Sequence, residues 1–205
     1  MSFAKAEEIW KAAAGLQAVD GLYVSESFLH TLVEERRAEC FSLEADQVSC
    51  RIAEELMDER FEFSPSFLQE IHGRLFQDVM EDAGSFRKKN IMKKEDVLHG
   101  ESVIYVPWDL IEESLQYDFD RFDDHVMSFT AGIWQIHPFA EGNTRTAAVF
   151  LIKWLWQKNH CLNLSVFERE SLFFRNALVK ANAIGDWEDL RWFCHQLDIC
   201  FSDFE

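Results

Sequence analysis

Residues 126–154 read VMSFTAGIWQIHPFAEGNTRTAAVFLIKW, two apolar runs of helical spacing parted by a histidine, a proline and a glycine. Phe122, Val126, Phe129, Ile133 and Ile136 recur at three- and four-residue intervals, which predicts a helix from Asp120 to Ile136 buried along one face. Pro138 disfavours helical backbone in the residue before it, so that helix stops near His137. Asn143 is a good N-cap, and a second helix follows it through Val149, Phe150, Leu151 and Trp154 toward Lys158. The stretch is a helix-loop-helix junction inside a core, and its loop carries a base, a carboxylate and a cation: His137, Glu141 and Arg145.

A glycine ahead of a capped helix start leaves backbone N–H groups pointing out of the turn, and the helix dipole adds to their attraction for an anion. Gly142, Asn143 and Thr144 occupy that position. Arg145 supplies donors suited to phosphate, and Glu141 a hard oxygen ligand for a Mg²⁺ ion riding on the same phosphates. His137, at the other lip of the turn, is placed as a base near neutral pH. The combination points to a phosphate-centred transfer from a nucleotide to a hydroxyl. It is not a Walker A loop, because the second glycine and the lysine after it are absent, and Pro138 with no third ligand nearby argues against zinc.

The rest of the chain reads as helical. Its 205 residues suit one main core, with 48% hydrophobic residues including 19 Phe and 7 Trp, and only 8 Gly and 3 Pro. Phe3, Ala6, Ile9, Trp10 and Ala13 form one stripe of a helix over 3–15. Ser25 or Ser27 caps a helix holding Phe28, Leu29, Leu32 and Val33, and Ser42 caps a third. Ser64 before Pro65 opens a helix over 63–79. The β-branched run in HGESVIYVP, closed by Pro107, suits an exposed strand or hairpin. The basic cluster Arg87, Lys88, Lys89, Lys93 and Lys94 reads as a solvated loop face. The other histidines, His72 among them, read as structural.

A net charge of −17 repels nucleic acid and anionic lipid, and no stretch approaches eighteen apolar residues. Five cysteines without a C-x-x-C pair read as reduced, mostly buried thiols, and a soluble cytoplasmic setting follows. The sequence leaves a homo-oligomer open.

HPFAEGNTR, residues 137–145, resembles the signature of the Fic family, and IHGRLFQDVMEDAGSFR, 71–87, resembles the family's upstream helix, with Asp82 where an aromatic is usual. The resemblance implies an all-α, Fic-like domain over 46–205 with a β-hairpin flap, preceded by an antitoxin-like, degenerate helical extension over 1–45. It implies Mg²⁺-dependent transfer of AMP from ATP to a Ser, Thr or Tyr hydroxyl of a target protein. His137 would be the general base, Phe139 the loop's anchor and Glu141 the metal ligand. Gly142, Asn143 and Thr144 would hold the α-phosphate and Arg145 the outer phosphates. Ser102, Val103, Ile104, Tyr105 and Val106 would form the flap on which an extended target segment docks. GDWEDL, 185–190, resembles a segment near the adenine pocket, which brings in Asp186 and Trp187.

Two departures stand out: Thr144 replaces the second glycine of the commonest form, and Ala148 falls where a second arginine is usual. In the family that arginine grips the γ-phosphate and pairs with an inhibitory glutamate. The nearest matches to the inhibitory motif are LQAVDG, 16–21, with Leu16 and Asp20 at its key positions, and TLVEER, 31–36. Self-inhibition is therefore expected to be weakened or lost. The alternatives are a Fic-scaffold phosphotransferase or phosphocholine transferase, or a catalytically weak nucleotide-binding interaction module.

Overall fold

The structure is a computed structural model that describes residues 3–122 and 125–199, apart from the side chains of Phe3 and Ala4. The expected place of Phe3 on the first stripe and of Cys200 among the buried thiols lie outside the described residues. Helix α1 (Phe3–Gly15) runs into a 3-10 turn, Leu16–Asp20, that ends at Gly21 in the left-handed region (φ 70°). Then come α2 (Glu26–His30), α3 (Glu44–Met57) and α4 (Pro65–Phe76). Strands β1 (Met92–Glu95) and β2 (Glu101–Ile104) pair antiparallel, Met92 opposite Ile104 and Glu95 opposite Glu101. Five helices complete the described chain: α5 (Ile111–Asp120), α6 (Val126–Ile136), α7 (Asn143–Gln157), α8 (Ser165–Ile184) and α9 (Glu188–Gln196).

The architecture is all-helical with one small hairpin, and α7 is its axis. Every residue from Asn143 to Leu155 is buried, as expected of a helix that is apolar nearly all round. Helices α3, α4 and α6 pack on it, while α1 packs on α3 and α8. Phe63 ties the layers together: its ring lies 4.9 to 6.3 Å from those of Phe119, Phe122, Phe129, Phe150 and Trp154. Ile9, Trp10 and Leu16 belong to the same core cluster, so the N-terminal segment completes the core.

Several local expectations need correction. Ser25 does cap α2, its Oγ accepting from the Phe28 N–H at 3.1 Å, but the helix ends at His30 and leaves Leu32 and Val33 outside. Ser42 caps nothing; Leu43 precedes α3, and Asp46 instead accepts from the Ser25 N–H at 2.7 Å. The Ser64 cap forms at 3.2 Å, yet α4 stops at Phe76. Helix α6 begins at Val126, and Phe122 reaches the core from the loop before it. Among the described cysteines Cys50 and Cys194 are buried, but Cys40 and Cys161 are exposed. No helix of the described residues is long and apolar enough to cross a membrane.

Candidate active site

His137 closes α6 in the left-handed conformation (φ 52°, ψ 59°), which turns the chain abruptly before Pro138 and points the imidazole back toward the helix it ends. Its Nδ1 lies 3.2 Å from the Trp134 carbonyl. A carbonyl only accepts, so Nδ1 carries the proton and Nε2 is left as the basic nitrogen. Tyr105 stacks on the ring at 3.9 Å, and Trp134 meets it edge-on at 5.5 Å. Burial, reinforced by Lys93, Arg87 and Arg175, pushes the His137 pKa down to about 3, against the opposing hydrogen bond to Trp134. The imidazole is neutral, with Nε2 unprotonated.

Buried side chains fix the loop after it. Asn143 does not cap α7; Gly142 is the N-cap, and the Asn143 amide bonds the Phe139 backbone twice, accepting from its N–H and donating to its carbonyl, both at 2.9 Å. Thr144 Oγ1 accepts from Trp134 Nε1 at 2.9 Å. Gly142 has φ 73°, and a Cβ there would fall 2.5 Å from the Phe76 ring, so the turn needs glycine on both counts. The first helical bond runs from the Thr146 N–H to the Gly142 carbonyl, which leaves the N–H groups of Asn143, Thr144 and Arg145 ahead of it at the helix's positive end.

Two residues read as background prove central. His72 is buried and stacks on Phe139 at 3.8 Å and 10°. Its Nδ1 accepts from the Gly84 N–H at 2.9 Å, so Nε2 carries the proton and donates to the Glu141 carbonyl at 3.1 Å. Burial lowers its pKa to about 4. Arg87, expected on a solvated face, is 4% exposed. Its guanidinium donates to the carbonyls of His137 (2.8 Å), Lys89 (2.7 Å), Ile136 (3.3 Å) and Val106. The only sequence signal for either was membership of the block 71–87.

Arg145 is 2% exposed and is met by the N-terminal segment. Its Nη1 donates to Gln17 Oε1 at 2.9 Å, Glu44 Oε1 stands 3.6 Å away, and Nε lies 2.8 Å from Asp20 Oδ2 without its N–H aimed squarely at that oxygen. Asp20 of the degenerate LQAVDG thus holds the first arginine of the motif although Ala148 removes the second. Glu141 keeps its side chain 60% exposed, with Lys93 Nζ at 3.0 Å. Among the described residues no three metal-binding side chains cluster.

The second strand of the hairpin spans 101–104, whereas the expected flap is 102–106. Ser102 and Ile104 are exposed and Val106 is half-buried, but Val103 is buried and Tyr105 lies against His137 with 3% exposure, which removes both from a docking face. Asp186 and Trp187 lie at the α8 to α9 junction, where Asp186 Oδ1 accepts from the Glu188 N–H at 3.1 Å.

A profile of the Fic/DOC family matches residues 62–155. No curated protein matches the chain. Among solved structures, a Fic family protein from Desulfovibrio desulfuricans G20 is similar with TM-score 0.67 and 15% identity, over 95% of this chain and 64% of that one. The N-terminal FIC domain of Bep8 from Bartonella sp. 1-1C gives TM-score 0.58 and 18% identity, over 82% and 91%. BepC from Bartonella tribocorum, solved with bound AMPPNP, gives 0.57 and 16%, over 75% and 85%. At these identities the likeness speaks for the fold. With the family match across both sequence blocks and the motif loop closed between α6 and α7, residues 62–155 of the chain are a Fic/DOC family domain.

Proposed function

We propose that the protein transfers AMP from ATP to a Ser, Thr or Tyr hydroxyl of a target protein, with residues 46–205 as the catalytic unit and 1–45 as its extension, in a cytoplasmic setting. The observation that carries this reading is His137: a neutral imidazole whose Nδ1–H is committed to Trp134 and whose Nε2 is the base, held beside the N–H groups that open α7. BepC, a structural neighbour, binds AMPPNP, which supports a nucleotide donor.

In the reaction His137 Nε2 takes the proton of the target hydroxyl, and its oxygen forms a bond to the α-phosphorus as the bond to the pyrophosphate oxygen breaks. The backbone N–H groups of Asn143 and Thr144, with the end of the α7 dipole, stabilise charge on the α-phosphate. Arg145, once released by Asp20, reaches the outer phosphates. Glu141 fits Mg²⁺, an ion that commonly takes one or two carboxylates together with substrate phosphates; when bound it neutralises phosphate charge. Exposed Ser102 and Ile104 on the flap offer backbone to an extended target segment.

One observation favours a second reading. Arg145 is buried and already paired, and Ala148 offers no other grip on the outer phosphates. A donor bound in another orientation would give phosphate or phosphocholine transfer, and a donor held but not used would leave an interaction module. Incubation of a host lysate with the protein, Mg²⁺ and α- or γ-labelled ATP separates these, with His137→Ala alongside. Label from the α position alone, absent in the variant, is expected; label from γ alone, or label indifferent to His137, overturns AMP transfer.

A further inference from the structure

A cavity of about 490 Å³ opens among the N-terminal helices, away from the motif loop, lined by α1, the turn after it, α2 and Arg36. Its wall is largely apolar, with Trp10, Ala14, Ala18, Val24 and Phe28 contributing. Arg36 lies 91% buried, as its 9% exposure shows, with its guanidinium 5.4 Å from the Trp10 ring centre and 4.8 Å from that of Phe28.

Arg36 is exceptional in a chain with 37 acidic residues and 20 basic ones. Of the buried arginines among the described residues, Arg51 meets Asp78 and the Gln77 carbonyl, Arg87 meets four carbonyls, and Arg145 meets Gln17 and Asp20. Among the described residues the Arg36 side chain makes no hydrogen bond or ion pair, and its Nε is buried without a hydrogen-bond partner, as is Trp10 Nε1. Buried cations are normally matched by acceptors, so an unmatched one on a cavity wall marks a place where a ligand supplies them.

We infer that this cavity binds an apolar carboxylate, its two oxygens on the Arg36 fork and its hydrocarbon or aromatic body along the apolar wall. The planar guanidinium matches a carboxylate in two-point contact. The other charged groups lining the cavity are Glu7, Lys11 and Glu168, so with Arg36 the lining sums to zero charge, which opposes a phosphate dianion more strongly than a single carboxylate charge. The volume lies within the usual range of roughly 300 to 1,000 Å³ for small-ligand sites.

The test is a titration of the full chain with 3-phenylpropionate and octanoate, and with 3-phenylpropionamide as the uncharged counterpart, followed at the Trp10 indole N–H in ¹H–¹⁵N spectra. A short peptide ending in Phe, as free acid and as amide, distinguishes a chain terminus from a free acid as the source of the carboxylate. Saturable shifts from an acid are expected, with affinity roughly ten-fold or more weaker for its amide and for Arg36→Gln. Ala14→Leu, which fills the cavity and spares Arg36, is expected to lose binding at unchanged Tm and keeps the test decisive should Arg36→Gln not fold. Equal binding of acid and amide, unchanged binding by a folded Arg36→Gln or Ala14→Leu, or no shift from any acid at about 10 mM overturns the site.

Discussion

The floor and the cover of the motif loop are built from different bonds. Beneath it, Asn143, His72 and Arg87 bind backbone amides and carbonyls from buried positions, with distances mostly near 2.9 Å. Above it, the contacts are ion pairs between side chains: Asp20 on Arg145 and Lys93 on Glu141. Backbone bonds in a dry interior have no substitute once broken, whereas carboxylate and ammonium partners exchange readily for phosphate oxygens or a metal ion. The molecule thus fixes the geometry of the site and leaves its ligand contacts replaceable.

The sharpest way to break this contrast is Arg87→Met, which strands several buried carbonyls. It should lower stability by about 3 kcal/mol or more in urea denaturation and abolish labelling with it. A loss below about 1 kcal/mol would mean that the floor is not held by Arg87. His72→Phe keeps the stack on Phe139 but removes two hydrogen bonds, and about 2 kcal/mol should go.

The two buried histidines also set a pH dependence. Their pKa values fall from 6.5 to about 4 (His72) and about 3 (His137), so below pH 6.5 the unfolded chain binds protons that the native state refuses. Their contribution is complete above pH 6.5 and declines as pH falls toward 4, by on the order of 2 kcal/mol each between pH 7 and pH 5. Thermal melts at pH 7, 6 and 5 should show that decline, shallower in His72→Phe. An unchanged slope in the variant would mean that His72 titrates normally.

The cover should respond oppositely. Asp20→Asn weakens the hold on Arg145, so ATP binds more tightly by roughly three- to ten-fold in calorimetry, while Tm without ATP falls because a buried cation loses its partner. If both affinity and Tm fall, Asp20 supports the site instead of covering it. Lys93→Ala, on a largely exposed pair, should move stability by no more than about 0.5 kcal/mol and be visible chiefly as tighter Mg²⁺-ATP binding.

Much of the fold was legible because its signals are short-range. The Ser64 cap with Pro65, the stop at Pro138 and the apolar run of α7 each act within a turn or two of chain. Helix boundaries slipped at Leu32 and Ser42, in the stretch between Ser25 and Asp46 whose two ends are joined by hydrogen bonds across 21 residues.

The sequence by itself determined the motif loop: a proline, a left-handed glycine and a helix start impose their backbone angles through steric contacts with immediate neighbours. Tertiary structure alone decided what surrounds it. Arg87 comes to His137 across 50 residues, Asp20 to Arg145 from the turn after α1, and Tyr105 to the face of the imidazole, because the packing of the surrounding elements on α7 sets those distances. A side chain's burial and charge partner belong to that packing, so the lowered pKa of His137 and the pairing of Arg145 are properties of the folded core.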